Sequence, residues 1–422
     1  MPYTLAEKIL LAHSEVDEVS PGEIVMVRCD VVMTNDISGP IAFRAMKEMG
    51  AARVFDPAKV VLVPDHFIPA KDTRSAELQK LLRDWAAEQG VAYYEQGRGG
   101  IEHTVLVEEG WVVPGSVIAG GDSHTCTYGA LGAFGTGLGS TDIAACLASG
   151  TFWQAVPGTI RVEFTGTRRP FVTGKDLIIA VIAEIGVAGG TNMALEFVGE
   201  GAEALTIDER LAVANMAVEA GSETGFFPAD KTVTEYLTGR TDRPWQAERS
   251  DPDAEFAQGI EIDLSELPPL VALPHSPGNV VPLDQAVGRR VDQVYIGNCS
   301  NGTITDLRQA AEMLGGRKVH PSTRAIVVPA SQRVYRQALE EGLLDLFVEA
   351  GASVSMPTCG ACFGGSGGVL AAGENAVTTT NRNFRGRMGS SEAGVHLANA
   401  WVAAAAAVAG EIVDPAELAG SS

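Results

Sequence analysis

The stretch QVYIGNCSNG, Gln293–Gly302, decides how this chain is read. A short strand-forming run, Gln293–Ile296, stops abruptly at a loop of glycine, asparagine, cysteine and serine. The same arrangement recurs three times. KVVLV (Lys59–Val63) runs into Pro64, Asp65 and His66; SVIA (Ser116–Ala119) runs into GGDSHTCTYG; AVTTT (Ala376–Thr380) runs into NRNFRGR. Between such runs lie helix-patterned segments, among them TDLRQAAEML (Thr305–Leu314) and SQRVYRQALEEGLLDLFVEAG (Ser331–Gly351). The second carries apolar residues at helical spacing. Strands alternating with helices specify an α/β architecture with largely parallel sheets. Ligands of such sheets sit beyond the carboxyl ends of the strands, where all four polar loops fall.

A chain of 422 residues is too long for one core, so two or three domains are expected. QAVPGT, around Pro157, and the proline-rich Glu266–Leu283 read as boundaries, dividing the chain into residues 1–157, 158–275 and 276–422. Lys and Arg total 31 against 53 Asp and Glu, a formal charge of −22. Such a surface repels phosphate backbones and argues against a nucleic-acid partner. The N-terminus has no basic region followed by an apolar core, so it is not a signal peptide. Thr4 and Glu7 are spaced instead as a capping box. The longest apolar run, Ala400–Gly410, is too short to span a bilayer and suits a packed helix. A cytoplasmic protein is expected, and there six cysteines point to metal or catalysis more than to disulfides.

Cys359 and Cys362 form a C-x-x-C within PTCGACFGGSGG. A redox pair needs a helix starting near the first cysteine, and the glycines that follow oppose one. A closed zinc site needs four ligands, usually as two pairs, and only one pair is present. Cys299 is the other cysteine in a comparable polar loop, whereas Cys29 and Cys146 sit in apolar surroundings and read as small core residues. Three cysteines from two glycine-rich loops suit a 4Fe-4S cluster with one iron left open to act as a Lewis acid. A fully ligated electron carrier, with Cys126 as fourth ligand, remains the competing form.

The other loops carry weaker signals. Asp122 and Ser123 read as turn residues capping a helix. GTGLGS does not match the dinucleotide fingerprint. Arg382, Arg385 and Arg387 are either carboxylate binders or a solvated surface loop. Asp65–His66 and His103 are weaker still, because a lone histidine is more often structural than catalytic. GGSGG formally fits a nucleophile elbow but lacks the strand and helix that motif requires.

Together GDSHTCTYGALGAFGTG, YIGNCSNG, PTCGAC and NRNFRGRMG, in this order and spacing, resemble the aconitase superfamily. Within it they resemble the stand-alone large subunits of 3-isopropylmalate dehydratase and homoaconitase. The resemblance covers essentially the whole chain. It implies three α/β/α-type domains without the family's fourth, swivelling domain. It also implies a hydro-lyase that removes water from a 2-hydroxy dicarboxylate and returns it with the hydroxyl moved by one carbon. Cys299, Cys359 and Cys362 match the cluster ligands. Asp65 and His66 match the group that handles the proton at the departing oxygen. His124 and its carboxylate partner Glu219 match a pair near the metal-bound water, and His103 and Asp122 a supporting pair. Ser123, Asn215 and Asn381 match polar residues of the substrate pocket, and Arg382 and Arg387 the carboxylate clamps. Arg385 carries no matched role.

The family's carbon base is a serine on the swivelling domain. This chain ends at Ser422, where the third domain should finish. Ser390 and Ser391 belong to the arginine loop, so a separate small subunit is expected to bring the base. Two positions depart from the isopropylmalate group. Asn35 stands in a Thr-Asn-Asp triplet where Thr-His-Asp is usual, and Glu102 stands where a cysteine is expected. Both adjoin site loops, which leaves homoaconitate or a methylated malate or maleate as alternative substrates. A non-catalytic iron–sulfur or RNA-binding protein is the distant alternative, against which the acidic charge argues.

Overall fold

The computed structural model describes residues 1–419. A first, five-stranded sheet has the order Ala92–Tyr93, Val60–Leu62, Val31–Thr34, Val117–Gly120, Phe134–Gly137, every pair parallel. A second sheet, also parallel, orders Thr224–Phe226, Met193–Val198, Gly158–Thr165 and Gln258–Asp263. The third has seven strands: Val280–Pro282, Leu270–Ala272, Gly394–Leu397, Asn375–Thr378, Gln293–Gly297, Arg324–Val328 and Ser353–Val354. Its first two pairings are antiparallel and the rest parallel. A two-stranded antiparallel ribbon joins Ile24–Arg28 to Thr151–Ala155. Strands covered on both faces read as continuous apolar runs, and Val31–Thr34, Val117–Gly120 and Gln293–Gly297 are buried throughout.

The helices begin where local chemistry says they should. Thr4 and Glu7 close a capping box on Leu5–Ala12, and Thr303 and Asp306 close one on Ile304–Leu314. The alanine-rich run forms the helix Ala400–Ala409, opened by Asn399 and stopped by Gly410 at φ 78°. Its small side chains pack it closely against Ile304–Leu314. The stretch 331–351 is two helices, Gln332–Glu340 and Leu343–Ala350, because Gly342 takes φ 75° and turns the chain between them. Among the described residues no helix is long and apolar enough to cross a membrane.

The register aligns the carboxyl ends. Thr34 pairs with Leu62 and Met33 with Gly120, so the loops carrying Asp36, Asp65–His66 and Asp122–His124 leave the first sheet together. In the third sheet Tyr295 pairs with Thr378, which brings the Asn298–Asn301 loop beside Thr379–Asn383. The first and second sheets meet through the turn Ser123–Leu131, whose Gly129 lies against the Gly225 carbonyl so closely that a β-carbon would collide with it. Gly129 also accepts from the Phe227 amide at 2.8 Å. This contact ties the first sheet to the second and delivers Glu219 to His124.

Candidate active site

Cys299, Cys359 and Cys362 line one cavity together with Asp65, His66, Glu102, His103, Asp122, His124, Asn381 and Arg387. Cys299 is the second residue after strand Gln293–Gly297, and Cys359 caps a single 3-10 turn, Gly360–Phe363, that carries Cys362; no α-helix starts there. The sulfurs receive amide hydrogens. Asn215 and Asn381 donate to Cys299 at 3.3 and 3.4 Å, and Asn298 donates to Cys362 at 3.2 Å. The hydrogen bond with Cys359 holds the Cys362 thiol well below its usual range, helped by Arg387, Asn298 and His124. The same bond and burial push Cys359 well above it. Cys126 is not part of this wall. Its thiol donates to the Asn215 carbonyl at 3.3 Å within the hydrophobic core, and burial pushes it up to about 12. Cys29 and Cys146 are buried in another core.

The facing wall is a chain of imidazoles and carboxylates. His66 Nδ1 lies 2.6 Å from Asp65 Oδ1, and Asp36 fixes the loop by accepting from the amides of Asp65, His66 and Phe67 at 3.1, 3.1 and 2.9 Å. Burial alone would lower the His66 pKa, but Asp65, Asp36 and Asp122 override it and raise it to about 9. Asp122 Oδ1 accepts from His103 Nε2 at 2.9 Å and from the His124 amide at 2.8 Å. Burial pushes the Asp122 carboxyl up, yet His103 and His124 prevail and hold it well below the carboxylate range. His124 Nε2 lies 2.8 Å from Glu219 Oε1, and Arg382 Nε donates to the same oxygen at 2.6 Å.

Of the residues expected from the sequence, Asn215 and Glu219 stand one hydrogen bond behind the cavity wall, and Arg382 stands one further back, behind Glu219. Asn215 accepts from Asn381 Nδ2 at 3.0 Å, and Arg382 is engaged by Glu219. Ser123 is exposed, with its hydroxyl 3.5 Å from His124 Nδ1. Arg387 presents a buried Nε without a partner among the described residues. Arg385 turns away and donates to the Ser391 carbonyl at 3.2 Å.

Three contributors carried no signal of their own in the sequence. Asp36 and Asn298 are polar loop residues that nothing in their local sequence sets apart from the polar residues beside them, Asn298 at φ 101°. Lys175 is fully buried and donates to the carbonyls of Thr379 and Thr380 at 2.9 and 2.6 Å, which sets the turn into Asn381 and Arg382. Burial lowers its pKa to about 8. Only a buried cation with acceptors on a distant loop distinguishes it from a surface lysine, and that is a tertiary fact. A roomier hollow lined by Phe197, Arg210, Phe227 and Arg249 contains neither cysteine nor histidine.

The model of the aconitase family (aconitate hydratase) matches residues 7–290 and 285–410. The chain is 73% identical over 418 residues to the 3-isopropylmalate dehydratase large subunit 2 of Rubrobacter xylanophilus, covering 99% of both chains. It is 52% identical to the 3-isopropylmalate dehydratase large subunit of Moorella thermoacetica and 50% identical to that of Desulfitobacterium hafniense, in each case over 99% of this chain and 100% of the relative. Its fold is similar to that of Thermococcus kodakaraensis aconitase X in the holo form, with a TM-score of 0.54 at 16% identity over 93% of both chains. The cavity is thus built from loops of a shared fold, and the chain belongs to the aconitase family of hydro-lyases.

Proposed function

We propose that this chain is the large subunit of a 3-isopropylmalate dehydratase. It would convert 2-isopropylmalate to 3-isopropylmalate by dehydration and rehydration, the isomerisation step of leucine biosynthesis. One observation carries the reading: three buried thiols from two loops open onto the same cavity as an Asp–His pair and a guanidinium. The near full-length similarity to relatives of that name supports the substrate.

The donor set suits a 4Fe-4S cluster. Thiolates are the ligands cluster iron takes, and amide N–H groups directed at the sulfurs offset its negative charge. Cys299, Cys359 and Cys362 would hold it, leaving one iron without a cysteine. When bound, the cluster supplies a Lewis acid that turns hydroxide into a better leaving group. The chain's own residues do the rest. His66, kept protonated by Asp65, Asp36 and Asp122, delivers a proton to the departing hydroxyl and takes one back from the returning water. Asp122 orients His103, and Glu219 orients His124 and Arg382. Arg387 offers its unpartnered Nε to a substrate carboxylate. The carbon-bound proton is left to a base on a separate small subunit.

The test is anaerobic purification of the chain alone and with its small subunit, followed by a screen of 2-hydroxy dicarboxylates. Turnover of 2-isopropylmalate only by the pair, together with a 3Fe paramagnetic signal on air exposure and rescue by ferrous iron, is expected. Zinc, a Cys359–Cys362 disulfide, or substantial turnover by the chain alone would overturn the proposal.

A further inference from the structure

Glu102 opens the helix Glu102–Glu108, is 1% exposed, and lines the cavity that holds the cysteines. Its amide donates to Asp65 Oδ2 at 2.9 Å, which fixes its place beside the Asp65–His66 pair. Its carboxyl Oε1 accepts from Asn35 Nδ2 at 3.0 Å and lies 3.8 Å from His103 Nε2. Asn35 cannot turn away, because its own oxygen accepts from the amides of Ile37 and Ser38, both at 2.9 Å, and from the Ser38 hydroxyl at 3.0 Å. The two side chains lie 67 positions apart in the chain, yet each is buried against the other.

The second carboxyl oxygen, Oε2, is buried and meets no polar partner among the described residues. Leaving such a group unsatisfied is costly and calls for an explanation, and Glu102 lines the cavity, where a bound molecule can complete the bond. We propose that Glu102 is a substrate-binding residue: as the neutral acid it donates from Oε2 to an oxygen of the bound hydroxy diacid, while Asn35 holds the carboxyl in that orientation. An ionised Glu102 would repel a doubly negative substrate at close range, whereas the acid form supplies a donor matched to a hydroxyl or carboxylate oxygen. Burial, then Asp65 and Asp122, push the carboxyl well above its ordinary range, in agreement with this form. The inference rests on the dehydratase reading and adds to it a residue that selects for oxygen at one substrate position.

The test uses the two-subunit holoenzyme and the variants Glu102→Gln, Glu102→Ala and Asn35→Ala. The glutamine amide can donate where the acid does and still accept from Asn35, so its KM should stay within about threefold of the parent enzyme. The alanine variant should raise KM and the calorimetric Kd for substrate about 10- to 100-fold, the loss of one hydrogen bond to a charged group. It should leave iron and labile sulfide content unchanged. Asn35→Ala should raise KM less, and combining it with Glu102→Ala should add nothing, since both act through one carboxyl. Unchanged KM and Kd in Glu102→Ala, additive losses in the double variant, or cluster loss in the alanine and glutamine variants alike would overturn the inference. A parent enzyme that turns over no 2-hydroxy diacid would sink the dehydratase reading itself.

Discussion

Glu219→Gln is the most informative single perturbation. Glu219 is 3% exposed, and one of its oxygens accepts from both His124 Nε2, at 2.8 Å, and Arg382 Nε, at 2.6 Å. Glutamine keeps the shape but removes the charge and turns one end into a donor. Its oxygen can still take one of the two bonds, now at roughly half strength; the other charge-assisted bond, worth about 1.5–3 kcal/mol, is lost. The organised site should therefore lose about 2–4 kcal/mol, equivalent to about a 30- to 1,000-fold fall in kcat/KM. Arg382, released from its carboxylate, is free to reorient, and His124 loses one of the two carboxylates that raise its pKa. The assay is the ultraviolet absorbance of the unsaturated intermediate formed by the reconstituted two-subunit enzyme, with iron content measured on the same sample. Cys299, Cys359 and Cys362 do not touch Glu219 through any hydrogen bond, so iron content should match the parent. A variant within threefold of parent activity would refute the view that this carboxylate organises His124 and Arg382.

Cys299→Ser, Cys359→Ser and Cys362→Ser should each lose iron and the brown chromophore, because hydroxyls replace sulfur poorly at cluster iron. Cys126→Ser should keep both, since its thiol is spent on the Asn215 carbonyl; chromophore loss there would reassign the ligands. Glu108 supplies a pH-dependent term to stability. It accepts from Ser331 Oγ at 2.8 Å, and burial raises its carboxyl to about 7. Between about pH 4.5 and 7 the folded chain keeps a proton that the unfolded chain has lost, so this group's contribution, on the order of 3 kcal/mol, fades as pH rises through that window. Urea unfolding across the window should show a shallower decline for Glu108→Gln than for the parent; parallel curves would remove Glu108 as the source.

The amino-acid sequence by itself determined the strand-to-loop junctions. A β-branched run halted by glycine, asparagine or proline is a local signal, and Gln293–Gly297, Val117–Gly120, Val60–Leu62 and Asn375–Thr378 begin and end within two residues of where that signal places them. The capping box at Thr4 and the packed alanine helix were legible for the same reason. The helical pattern over 331–351 concealed its break, because the left-handed turn at Gly342 leaves the apolar spacing on either side undisturbed. Only the packing of one sheet against another chose partners. It set Glu219 against His124, Asn35 against Glu102, Lys175 under the Thr379 and Thr380 carbonyls, and turned Cys126 away from the other cysteines. These contacts join residues 67 to 205 positions apart. No periodicity or spacing encodes such pairs, since hydrophobic burial fixes which faces meet and hydrogen bonding then selects among the polar groups stranded there.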